Sequence, residues 1–87
     1  MRFIIEFTPE SLEDLKSLPK EFGALVKRAI SQRLETEPLK YGKPLRGSLH
    51  GLRTLRVSKY RVIYEVIEVK ALVLVVKIDI RRDVYEE

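Results

Sequence analysis

Apolar positions along this chain recur first in a short strand, then at helical spacing, then in alternation. Residues 2–7, Arg2-Phe3-Ile4-Ile5-Glu6-Phe7, read as a short strand. Thr8-Pro9-Glu10 then has the form of a helix start: a hydroxyl at the N-cap, proline at the first helical position, and an acid where the helix dipole favours one. The first helix runs to about Leu18, with Leu12, Leu15 and Leu18 on one face, and Ser17-Leu18-Pro19 interrupts it. A second helix carries Phe22, Leu25, Val26, Ala29, Ile30 and Leu34 at the spacing of one helical face and is closed by Pro38. Residues 39–51, with Gly42, Pro44, Gly47 and Gly51, read as a loop. Three strands follow near 52–57, 60–67 and 71–80. Ser58-Lys59 and Glu68-Val69-Lys70 are short enough to be hairpin turns, although Ser-Lys is not a favoured two-residue turn. The expected fold class is α+β: an N-terminal strand, a helical hairpin, then an antiparallel three-stranded meander to which the first strand is joined.

Alternation assigns the faces of that sheet. In the last strand Leu72, Leu74, Val76, Ile78 and Ile80 share one side, and Val73, Val75, Lys77, Asp79 and Arg81 the other. In the middle strand Tyr60, Val62, Tyr64 and Val66 oppose Arg61, Ile63, Glu65 and Ile67; before it, Leu55 and Val57 oppose Thr54 and Arg56. Packing the more apolar sides on the helices predicts a core of Leu12, Leu15, Phe22, Val26, Ile30, Leu55, Val62, Tyr64, Leu74, Val76 and Ile78. Tyr60 and Tyr64 are then packing residues. Arg56, Arg61 and Arg81 emerge together on the open side, with Arg53 on the opposite one. A one-residue bulge would undo this assignment. Ile63, Ile67, Val73 and Val75 accompany the arginines on the open face, an apolar share that calls for a partner.

Length and charge narrow the function. At 87 residues the chain is expected to be one domain, residues 1–87, with a small core that a tightly bound partner would stabilise. There is no cysteine, which removes disulfides and thiolate metal sites and fits a cytoplasmic location. The N-terminus lacks the pattern of a signal peptide, and the longest apolar run, Ala71 to Val76, is too short to span a bilayer; no membrane partner is expected. The net charge is +4, and its distribution is uneven. From Pro38 to Tyr64 there is no Asp or Glu, while Lys40, Lys43, Arg46, Arg53, Arg56, Lys59 and Arg61 all fall in that window. Such a block suits a polyanionic partner.

The available chemistry is limited. A single histidine, His50, in a Gly-flanked loop excludes a two-histidine nuclease and reads as a surface residue. No metal-ligand spacing, phosphate loop or serine triad is present, and no metal or cofactor is expected. Arginine, lysine and tyrosine remain, and these suffice for RNA, which supplies its own nucleophile in the 2′-OH. The protein must align the attack, neutralise charge on the phosphorane and aid the leaving 5′-oxygen. Arginine suits the second task through its fixed fork of donors. Phosphate binding alone would use the same residues, so chemistry by itself leaves both readings open.

Four segments carry a resemblance: Pro44-Leu45-Arg46-Gly47, Gly51-Leu52-Arg53-Thr54-Leu55-Arg56-Val57, Tyr60-Arg61-Val62-Ile63-Tyr64 and Arg81-Arg82-Asp83-Val84-Tyr85. In order and spacing they resemble the RelE/ParE toxin superfamily over nearly the whole chain. The resemblance implies a toxin of a type II toxin–antitoxin system. It would be held in a hetero-oligomer by a RelB-like antitoxin with an amphipathic segment, and would cleave mRNA in the ribosomal A site without a metal. It implies catalytic roles for Arg56, Arg61, Arg81 and Tyr85: Arg61 at the scissile phosphate, Arg81 near the leaving group, Tyr85 in stacking or proton transfer, and Arg56 in activating or holding the substrate. Lys40, Lys43, Arg46, Arg53 and Lys59 would contact RNA and the ribosome. Two departures stand out. Thr54 occupies a place that is often basic, and Asp79-Ile80 stands where many members have glycine followed by a basic residue, an acid placed to tune Arg81. The alternatives implied by the same resemblance are a ParE-like gyrase inhibitor and an inactive homologue that only binds its antitoxin.

Overall fold

The computed structural model describes residues 2–80. In chain order they form β1 (Ile4–Phe7), α1 (Pro9–Lys16), α2 (Lys20–Ala29) with a π-helical continuation over Ile30–Leu34, a single-turn α3 (Pro38–Tyr41), β2 (Lys43–Pro44), β3 (Arg53–Val57), β4 (Tyr60–Ile67) and β5 (Leu72–Ile80). The five strands lie in the order β1-β5-β4-β3-β2. The expected meander is β3-β4-β5. The first strand joins it beside β5 and runs parallel to it, while the other neighbours are antiparallel. The segment read as a loop also contributes: Pro38 starts α3, and β2 adds a short edge strand against Arg53 and Thr54.

The helical hairpin covers one face of the sheet. Val26, Ala29, Ile30 and Leu34 from α2 and its continuation meet Leu55, Val57, Tyr60, Val62, Tyr64, Val73, Val75 and Ile78 in one buried cluster. The face assignment predicted for β5 fails over its first half, because of a bulge. Ile63 pairs with Lys77 while the next residue, Tyr64, pairs with Val75, leaving Val76 as an extra residue. The alternation therefore changes phase at Val76. Val73 and Val75 are buried with Ile78, whereas Leu74 and Val76, expected in the core, are only half-buried. The predicted apolar strip on the open face consequently consists of Ile67, Leu72 and Leu74 rather than Val73 and Val75, and Ile63, also expected on it, is buried at 4% exposure.

The same region explains why Leu12 is 40% exposed rather than core. β1 ends at Phe7, opposite Val75, so beyond that point β5 has lost its outer neighbour. α1 supplies one with polar groups. Thr8 N–H and the Ser11 hydroxyl donate to the Val75 carbonyl at 3.0 and 2.7 Å, Thr8 Oγ1 donates to the Val76 carbonyl at 3.3 Å, and Ile78 N–H donates to Asp14 at 3.0 Å. Buried backbone groups demand partners. Turning Ser11 and Asp14 toward β5 leaves Leu12 off to the side. Thr8 is also the expected N-cap, accepting from Ser11 N–H at 3.1 Å.

Candidate nucleic-acid interface

The open face has a row of charge across it. Arg56 on β3 pairs in register with Arg61 on β4, which pairs with Asp79 on β5. Like charges directly opposite on neighbouring strands are destabilising. The arrangement is therefore a poor choice for stability alone and a good one for holding an anion. Arg61 is the more enclosed of the two arginines. Its side chain is 12% exposed, and its Nε and Nη2 donate to the two carboxylate oxygens of Asp79, both at 3.2 Å. The carboxylate thus meets the planar fork as a phosphate would. Asp79, read from the sequence as a neighbour of Arg81, is held by Arg61. Beside this row Thr54 faces Ile63 and Lys77, with its hydroxyl buried and, among the described residues, without a hydrogen-bond partner. Arg81 and Tyr85, two of the four expected catalytic residues, lie outside the described residues.

Arg53 lies on the other side of β3, as alternation predicts, but its chemistry differs from the expected RNA contact. One guanidinium nitrogen donates to the carbonyls of Leu39 and Gly42 at 2.8 and 2.6 Å. Tyr64, its partner across β4, is fully buried and donates its hydroxyl to the Pro38 carbonyl at 2.7 Å. Burial pushes the Tyr64 pKa above its ordinary value, with Arg53 nearby opposing, so the hydroxyl stays a proton donor. Together the two side chains tie the end of α3 to the sheet, and α3 leads into the basic loop. Gly42 is there for close approach: a methyl at its Cα would overlap Tyr64 Oη and stand 2.8 Å from Cζ. Its backbone, at φ −89° and ψ 171°, suits any residue. The sequence shows Tyr64 on a core face and Arg53 on the side away from Arg56, but not the hydrogen bonds by which the two hold Pro38, Leu39 and Gly42.

The remaining basic positions are exposed around the edge of β3. Lys43 pairs in register with Thr54, and Arg46 precedes the short 3-10 turn at Gly47–Leu49. Lys40 forms an ion pair with Glu37 at 3.3 Å. Lys59, in the β3–β4 turn, places its ammonium 5.0 Å from the centre of the Phe22 ring. His50 is exposed in the loop. Among the described residues no group of three or more His, Asp or Glu is arranged to hold a metal ion, and no helix is long and apolar enough to cross a membrane.

Comparison with known proteins agrees with this geometry. The family described as ParE toxin of type II toxin-antitoxin system, parDE, matches residues 5–85. Toxin RelG of Mycobacterium tuberculosis is 34% identical over 85 residues, which cover 98% of each chain. Among solved structures, a chain of the toxin-antitoxin complex RelBE2 from Mycobacterium tuberculosis superposes with a TM-score of 0.89 at 32% identity, covering 95% of both chains. The archaeal RelE-RelB complex from Pyrococcus horikoshii gives 0.75 at 25% identity, over 95% of this chain and 99% of that one. With a match over nearly its whole length, the same strand and helix order and an arginine-bearing open face, the chain belongs to the RelE/ParE superfamily of type II toxin–antitoxin toxins.

Proposed function

We propose that this protein is a RelE-type endoribonuclease that cleaves mRNA in the ribosomal A site without a metal and so stops translation in the cytoplasm. The observation that carries the reading is the Arg56–Arg61 cross-strand pair, with Arg61 already forked to a carboxylate. In the proposed reaction the substrate's 2′-OH attacks the neighbouring phosphorus, forming a 2′,3′-cyclic phosphate and breaking the bond to the 5′-oxygen. The proton leaves the 2′-oxygen, and another is delivered to the departing 5′-oxygen. Arg61 would exchange Asp79 for a non-bridging phosphate oxygen and neutralise charge as the phosphorane forms. Arg56 would hold the strand beside it. Arg81 and Tyr85 retain their expected roles at the leaving group and in stacking or proton transfer. Lys40, Lys43, Arg46 and Lys59 suit sequence-independent phosphate contacts, while Arg53 serves these indirectly by fixing the loop.

The proposed partner is a RelB-like antitoxin. On the open face, Ile4, 64% exposed, lines up with Leu72 and Ile67, and Leu74 lies between Glu6 and Glu65. An amphipathic segment would cover this strip with its apolar side and direct acids toward the arginines. The names of the similar proteins, RelG and RelE, weigh for this reading over a gyrase inhibitor. Primer extension on a translated message tests it: new codon-phased 5′ ends are expected. Intact messages together with loss of gyrase supercoiling would replace it with the ParE-like alternative.

A further inference from the structure

On the far side of Arg56 from Arg61, the edge of β3 and the end of the helical hairpin enclose a hollow of about 240 Å³. Its polar walls are Arg28, Gln32, Arg33, Arg56 and Ser58, and its base is Leu25, Ala29 and Val57. We infer that this hollow is a second nucleic-acid site, which seats a backbone phosphate of the RNA strand beyond the one held at Arg61. The inference rests on the reading that RNA lies on the open face.

Three features point to a phosphate. First, among the described residues no carboxylate lines the hollow, although acids are close in sequence. Glu35 pairs with Arg2 and accepts from Ser31, and Glu37 pairs with Lys40. The guanidinium groups of Arg28 and Arg33 have no hydrogen-bond or ion-pair partner among the described residues. Cations in the last turns of a helix are expected from the dipole alone. That effect does not bring a third arginine from a different element. Second, the helix departs from α geometry here. The π-helical turn at Ile30–Leu34 is wider, and Arg33 comes round toward the face that carries Arg28 and Ala29. Third, the base is apolar and partly buried, which lowers the local dielectric and strengthens attraction to an anion above it. Gln32 and Ser58 add neutral donors. Arg56 belongs to both places: it lines the hollow and opposes Arg61 across the hairpin, so the two sites form one path over the edge of β3.

The test uses a single-stranded 2′-O-methyl RNA dodecamer, which has no free nucleophile, and measures its affinity for the full chain across salt. Losing the seated phosphate should flatten the log–log salt slope by about 0.7, so that between 50 and 200 mM salt the parent loses about 2.6-fold more affinity than Arg28→Ala/Arg33→Ala. Lys16→Ala/Lys20→Ala removes the same charge at the other end of the hairpin and should leave the slope near the parent's. Thermal melts confirm that both variants fold. An unchanged slope in the arginine variant, or an equal fall in both, overturns the inference. So does an unchanged slope accompanied by a phosphate-induced rise in melting temperature that only the arginine variant loses, which would mark a free-anion site. The dodecamer assay is blind to cleavage. A protein with the expected slopes that leaves translated messages intact would keep the hollow and lose the ribonuclease reading; a cleaving protein with unchanged slopes would do the reverse.

Discussion

Gly42→Ala is the smallest change that should damage this protein severely, and the reason is local. The backbone at Gly42 is extended and accepts alanine, so no conformational penalty arises. The cost comes from contact, since the new methyl would overlap Tyr64 Oη and crowd Cζ at 2.8 Å. Tyr64 is fully buried, and its hydroxyl is bonded to the Pro38 carbonyl. Either the ring moves and breaks that bond, or the strand end of α3 moves and loosens the Arg53 contacts to Leu39 and Gly42. Overpacking a dense site costs about 1–3 kcal/mol, and leaving a buried polar group unsatisfied costs about 1–3 kcal/mol. A loss of about 3 kcal/mol is expected, which in a domain this small lowers the melting temperature by roughly 12–24 °C. Tyr64→Phe alone removes the hydroxyl and should cost about 2 kcal/mol. The double variant should be about 1–2 kcal/mol more stable than the sum of the two losses predicts, because the same hydrogen bond cannot be lost twice. Urea denaturation followed by circular dichroism supplies all four corners of the cycle. Gly42→Ala melting with the parent, or strict additivity, would refute the packing argument.

Ala71 sits at φ 50° and ψ 49° after the turn at Glu68–Lys70, and left-handed geometry costs a residue with a Cβ about 1–2 kcal/mol. Ala71→Gly should recover about 0.5–1 kcal/mol of this after the added entropy of the unfolded chain, read as a higher urea midpoint. Tyr64 adds an alkaline limit. Its folded pKa lies above its unfolded value, so above about pH 10 the unfolded chain releases this proton first, and stability falls as pH rises. The fall should be shallower in Tyr64→Phe, and equal slopes in a pH series of melts would count against the buried hydroxyl. Asp79→Asn removes the carboxylate from the Arg61 fork and should tighten binding of non-cleavable RNA by up to about fivefold, the worth of a part-exposed ion pair at ~1 kcal/mol. Weaker binding would mean that Asp79 orients Arg61 rather than competes for it.

The legible parts of this fold are those set by local chemistry. Thr8-Pro9 and Pro19 mark the helices, and strict alternation in β3 and β4 orients Arg56, Arg61 and Tyr64 correctly. What stayed hidden depends on contacts between distant segments. The first half of β5 is apolar on both sides, so its pattern gives no sign of the extra residue at Val76, and the phase of Val73 and Val75 is inverted. Leu12 misleads for a related reason: Ser11 and Asp14 are turned to the sheet by backbone groups of β5 that only tertiary structure brings there. Within the site, Arg56 facing Arg61 follows from strand pairing, whereas the Asp79 fork depends on register across two hairpins. Arg28 and Arg33 look like ordinary helix-end cations until the edge of β3 is set beside them.

The central claim, that Arg61 acts on the phosphorane, is tested most directly by single-turnover cleavage of mRNA on saturating programmed ribosomes. An interaction made only in the transition state appears in the chemical step. Arg61→Ala should slow that step by on the order of a hundredfold, about 3 kcal/mol, with the fold retained. Arg61→Lys should recover little, because a point charge cannot reproduce the planar fork. Cleavage by a folded Arg61→Ala protein at the parental rate would contradict the account.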